Sequence, residues 1–233
     1  MSYIQYTVAP ILRPWIRYFW SYDVQGNICT TLHIRSFADK YPRLIFQDIR
    51  EYKAITEPGG TTKALCYISG IDTKPSDAFW ESRFSHFGIS FEPHALHNLF
   101  GISATELTNQ TPDINFLDKT DIPDLLLAAT SHLKRVEILT TYFTKKLYDY
   151  KKDHIINDLF KKQWFHHFDE QRSLKKIADY YNISERQLQR RFKQNVGIPA
   201  GKFARIHRFE KALYLLSESK YGELTDISYS LGY

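Results

Sequence analysis

The chain has 233 residues, 43% hydrophobic and 15% aromatic, which is enough for one large or two ordinary cores and excludes disorder. Its net charge of +5 is unevenly placed: residues 161–233 hold 14 Lys+Arg against 8 Asp+Glu, whereas residues 1–160 hold 17 against 18. No apolar run approaches a membrane span, no signal-like start follows Met1, and Cys29 and Cys66 supply neither a disulfide framework nor a cysteine zinc site, so a reducing cytoplasm without membrane contact is expected.

A basic surplus confined to the last third suits nucleic acid or an anionic membrane surface as well as a plain solvated face. The first ~110 residues read as β-rich. Short aromatic and β-branched runs at 15–24, 30–37, 42–49, 64–71 and 84–93 alternate with turns at Gly26–Asn27, Pro58–Gly59–Gly60 and Lys74–Pro75–Ser76. Strands at this spacing predict a sandwich or small barrel. Trp15, Tyr18, Phe19, Trp20, Tyr22, Phe79 and Trp80 supply its core or line an apolar pocket.

The pattern turns helical at Pro93, which opens a short helix over 93–100, and Ser103 caps a second start. Between 122 and 152, Leu133, Val136, Leu139, Phe143 and Leu147 form one stripe, and another helix runs from Asp153 to about His166. These helices cover the sheet or offer a dimerisation surface, the covering arrangement being the commoner one. Glu92, His94, His97 and His86 are a candidate metal set, but the His-x-His pattern with a following carboxylate is missing, and packing histidines are expected there, as for His166 and His167 beside Trp164 and Phe165. No phosphate loop or Gly-x-Ser-x-Gly turn occurs, and neither Ser90 nor Cys66 has an evident activating partner, so neither enzyme activity nor a cofactor is expected.

Residues 173–194, SLKKIADYYNISERQLQRRFKQ, carry the most specific signal. Ser173 is expected to cap a helix with Leu174, Ile177 and Ala178 inward, and Asn182 interrupts it. Ser184 and Gln187 form a capping box for the next helix, completing a helix-turn-helix. There Leu188 and Phe192 point inward, while Arg186, Gln189, Arg190 and Lys193 share the opposite face. Arg can bridge the two acceptors of guanine and Gln can pair with adenine, so this face suits a major groove. Gly197 ends the helix and Pro199 opens a longer one to about Leu216, with Phe203, Ile206, Phe209, Ala212 and Leu213 at helical spacing. Leu224, Ile227 and Ser228 then repeat Leu174, Ile177 and Ala178 at an offset of 50, so LTDISYSLGY reads as the first helix and turn of a second such unit. The reading helix of that unit is expected one or two residues past Tyr233; a chain ending at Tyr233 would have a fraying tail and a single reader.

These residues closely resemble the DNA-binding domain of the AraC/XylS family of bacterial transcription regulators over roughly 160–233. The likeness rests on Leu188, Arg190 and Phe192, on Gly197–Ile198, on Arg208, Ala212 and Leu215, and on Ile227 and Leu231–Gly232–Tyr233. It implies base contacts by Arg186, Gln189 and Arg190 and backbone contacts by Ser184, Lys193 and Lys202. More loosely, PILRPWIRYFWSYDV, PRLIF and HFGISFEPHALHNLFGISATELTNQT resemble the cupin-like N-terminal domains of a subset of that family, which sense a ligand or mediate contacts. Many relatives carry Pro-Asp-Gly before the strand RLIF, where this chain has SFADKYP.

The expected architecture is therefore a two-domain α+β chain. A cupin-like β-barrel or sandwich with flanking helices occupies 1–115, a covering, linking or dimerising helical segment 116–160, and an all-α helix-turn-helix domain 161–233. The expected function is sequence-specific regulation of transcription, with double-stranded DNA, a small-molecule effector and a second copy of the chain as partners. The alternative is a non-enzymatic, dimeric ligand- or protein-interaction protein whose C-terminal part no longer binds DNA specifically.

Overall fold

The computed structural model describes residues 1–25, 30–148, 152–164, 170–218 and 222–232. Its N-terminal half is built on a five-stranded antiparallel sheet, with β1 (Ser2–Tyr6), β2 (Ile16–Val24), β7 (Phe84–Phe91), β4 (Arg43–Gln47) and β5 (Cys66–Ser69) side by side in that order. A separate antiparallel ribbon pairs β3 (Thr31–Ser36) with β6 (Ser76–Glu81). Five of these strands lie within the runs expected from sequence; β1 and β6 do not.

Period-two alternation gives the large sheet two different faces. Phe19, Leu44, Phe46, Cys66, Ile68, Phe87, Ile89 and Phe91 point into one fully buried core. The intervening Trp20, Arg43, Ile45, Tyr67, Ser69 and His86 line a cavity of about 540 Å³, whose opposite wall is the ribbon. Gly88 is essential to this arrangement, because a Cβ there would stand 2.3 Å from the Leu44 carbonyl oxygen and 2.6 Å from the Trp20 indole.

Helices cover the core face. α1 (Ala95–Phe100) ends at the left-handed Gly101, followed by α2 (Ile122–Ala128) and α3 (His132–Lys146). The single stripe expected over 122–152 is broken at Ala129, and Ser131 caps the new start by accepting from the Lys134 amide. Leu139, Phe143 and Leu147 join the core and Val136 packs against it, so the stripe covers the sheet. Leu133 is a correction: it is 65% exposed, while the neighbouring Arg135 is the residue taken inside.

Arg135 is buried because every donor it carries inward is matched. It binds the Asp48 carboxylate at 2.6 Å, donates to the Leu126 carbonyl at 3.0 Å and stands 4.8 Å over the Phe46 ring. Burial raises the Asp48 carboxyl, but hydrogen bonds from Arg50 and Arg135 outweigh it and bring the group down to about 2.

The helical segment 116–160 is shared between two cores. α2 and α3 belong to the N-terminal one, whereas α4 (His154–Lys161) turns Ile155, Ile156 and Leu159 into a second cluster. That cluster gathers α5 (Glu170–Tyr180), α6 (Glu185–Val196) and α7 (Ala200–Ser217), together with Ile71 from the N-terminal half. α4 stops at Lys161, short of the expected His166; His166, His167, Phe165 and Cys29 lie outside the described residues. α5 starts three residues before Ser173, which lies within the helix and is not its cap.

Candidate nucleic-acid interface

The α5–α6 unit is shaped by short-range rules. α5 buries Leu174, Ile177 and Ala178 and breaks at Asn182, whose φ of 51° is the left-handed conformation that Asn tolerates better than most residues. Ser184 then accepts from the Gln187 amide while the Gln187 side chain accepts from the Ser184 amide, the reciprocal capping box expected from sequence.

Along α6, Leu188 and Phe192 are 1% exposed. Phe192 stacks on Phe160 at 6.1 Å and meets Phe203 edge-on at 5.6 Å; Phe160 in turn stacks on His94 at 4.5 Å. On the other side Arg186, Gln189, Arg190 and Lys193 are all exposed, with Ser184 exposed at the N-terminus. Lys202 stands apart from this row, half-buried on α7.

The second unit begins as the 50-residue offset predicts. α8 (Leu224–Leu231) is helical, buries Ile227, and reaches Gly232 with a φ of 69°, the counterpart of left-handed Asn182. The Gly232 carbonyl accepts from Arg208 on α7 at 3.2 Å.

Three contacts that position α6 have no local sequence signal. Arg191 donates to Asp153, the N-cap of α4, at 3.1 Å. Thr105 and Thr108, from the short 3-10 turn Ala104–Leu107 and its end, donate to the Lys193 and Gly197 carbonyls at 3.2 and 3.0 Å. Gly197 closes α6 with a φ of 96°, and a Cβ there would come within 2.7 Å of the Ala104 carbonyl oxygen. The N-terminal half thus grips the C-terminal end of α6 and leaves its N-terminal face open.

Two cavities adjoin this assembly. The inter-sheet cavity combines Trp20, Trp80 and Tyr67 with Arg35, Arg43, Glu57, Lys63 and Asp77, and the Trp80 indole N–H in its wall is buried without a hydrogen-bond partner. Asp72 in that wall is pushed up to about 6 by burial and by neighbouring Asp39. A second cavity, of about 780 Å³, lies between the halves, with Trp15, Lys40, Tyr41 and His94 facing Phe160, Phe203 and His207. Phe19 is core, so the aromatic load divides between packing and cavity walls.

The candidate metal set is dispersed into packing roles. His86 sits between Trp80 and Phe84, His94 lies on Phe160, and His97 is bonded to the Ile102 carbonyl at 2.6 Å. Burial lowers His86 to about 4 and His94 to about 3, so both are neutral at pH 7. Among the described residues no helix is long and apolar enough to cross a membrane, and no three His, Cys, Asp or Glu side chains gather as a metal site.

Over residues 4–113 the sequence matches a family described as a domain of unknown function (DUF6597), and over 177–233 one described as a helix-turn-helix domain. No curated protein matches it. Solved structures with a loosely similar outline include an apo variant of ToxT from Vibrio cholerae, at 12% identity, 93% coverage of this chain, 88% of that one and a TM-score of 0.40. ToxT from the same organism bound to (E)-4-(8-methylnaphthalen-1-yl)but-3-enoic acid also aligns, at 12% identity, 88% and 90% coverage and a TM-score of 0.38. The matched domain, the capped α5–α6 unit and the start of a second unit lead to one conclusion: the last third of the chain belongs to a helix-turn-helix family and is a DNA-binding unit of that kind.

Proposed function

We propose that the chain recognises a specific duplex sequence by laying α6 in the major groove. Arg186, Gln189 and Arg190 read base edges, while Ser184, Lys193 and Lys202 hold phosphates. The observation that carries this reading is the exposed row on α6, placed beside a helix N-terminus that favours phosphate. Residues 161–233 form the reading domain and 1–115 the sensing domain, with the helices of 116–160 shared between them. A small molecule held between the two sheets is the effector; the aromatic walls and the unpartnered Trp80 N–H suit a ligand with an apolar body and an acceptor. The regulator acts in the cytoplasm and catalyses no reaction.

Substituting Arg190→Ala is expected to weaken binding to a target duplex selected from a random pool by about 1–3 kcal/mol and to relax preference at one or two base pairs. Fluorescence anisotropy on target and scrambled duplexes measures both. Equal losses on the two would reassign Arg190 to the phosphate backbone.

A further inference from the structure

The stretch SFADKYP, residues 36–42 of the N-terminal half, meets α7. Glu210 of α7 accepts from the Lys40 backbone N–H at 2.9 Å and pairs with the Lys40 ammonium group, whose side chain is 8% exposed. Beside it, Phe37 meets Phe209 edge-on at 5.9 Å and Ala38 packs against the second core. The stretch is itself anchored, because Asp39 and Asp72 exchange backbone hydrogen bonds at 2.9 and 3.0 Å. The pair also separates the two cavities, with Glu210 in the wall of the inter-sheet cavity and Lys40 in the wall of the other. Any molecule filling either space therefore touches one partner.

Charged groups withdrawn from water are retained only where the geometry repays their desolvation, and removing one partner strands the other. Here the pair ties α7 to the sensing half, while Thr105 and Thr108 tie down the end of α6. In this latched state the base-facing side of α6 remains exposed, so the contact orients the reader and does not hide it.

We propose that Lys40 and Glu210 form an interdomain latch through which the state of these two cavities sets DNA affinity. They are positioning residues: the latch holds α7, and α6 with it, in the orientation that reads the groove. This inference rests on α6 being the base-reading helix. An effector that engages Glu210 or Lys40 changes affinity by loosening or tightening the same contact.

The test uses the full chain as wild type, Glu210→Gln and Lys40→Met, with hydrogen exchange and duplex titration as parallel readouts. Glu210→Gln keeps the side-chain size and the acceptor for the Lys40 amide, so it removes charge with little loss of packing. The expected result is faster exchange confined to residues 37–41 and 200–210, with α6 and the large sheet still protected. Specific binding falls about fivefold or more, while binding to scrambled duplex is unchanged. Unchanged exchange at those segments overturns the latch. Freed segments with target affinity within twofold of wild type overturn the coupling. A wild-type chain that selects no duplex would instead defeat the DNA reading, and exchange alone would still decide whether the latch exists.

Discussion

Truncating Phe192 to alanine is expected to destabilise the C-terminal domain by about 3–5 kcal/mol, the range for a fully buried Phe. The ring sits between Phe160 and Phe203, and Phe160 is backed by His94, so the cavity cannot be closed by movement of one neighbour. Three helices and His94, the N-cap of α1, converge there, whereas the inner core of Phe19, Phe46, Phe87 and Phe91 is a separate cluster. The variant should therefore lose protected amides in α5 to α7 and lose specific DNA binding, although Phe192 is nowhere near the exposed row. Far-UV circular dichroism with residue-level exchange separates the outcomes. Near-wild-type protection of α6 would show that the aromatic cluster does not hold the reader in place.

The second large effect belongs to Arg135. Replacing it with alanine strips Asp48 of one of its two arginines and leaves the Leu126 carbonyl without its donor, in a site that is 3% exposed at Arg135. Breaking one side of a buried pair costs about 3–5 kcal/mol, and the remaining Arg50 contact places the expected loss near the lower end. The double variant Arg135→Ala with Asp48→Asn should lose less than the sum of the two single losses, because no unmatched carboxylate remains. Additive losses in chemical denaturation would mean that the pair is not energetically coupled.

The fold was legible where its causes are local. β2, β4, β5 and β7 announce themselves through aromatic and β-branched runs, and α6 through the capping box of Ser184 and Gln187 with its i, i+3, i+4, i+7 polar row. β1 escapes because Ser2–Tyr6 is a short edge strand whose residues are almost all exposed, so no buried alternation marks it. β6 escapes because Ser76–Glu81 has no fully buried residue and becomes a strand through its ladder with β3. The exposed basic face could be read from one helix alone; the grip on that helix could not. Lys40 and Glu210 are 170 residues apart, Asp48 and Arg135 87, and Thr108 and Gly197 89, so periodicity and capping carry no trace of these contacts. Leu133 stands outside because it is off the face that Leu139 and Phe143 turn inward, whereas Arg135 is one i, i+4 step before Leu139 on that face; what periodicity does not show is the distant Asp48 carboxylate that matches Arg135's charge there.

The central claim is that α6 reads a DNA sequence, and titration of one selected duplex and its scrambled counterpart across a salt series tests it most directly. The account predicts preference for the selected duplex and a linear fall of log K with log salt, steepening by about 0.9 for each phosphate neutralised. Binding that is indifferent to sequence and to salt would contradict it.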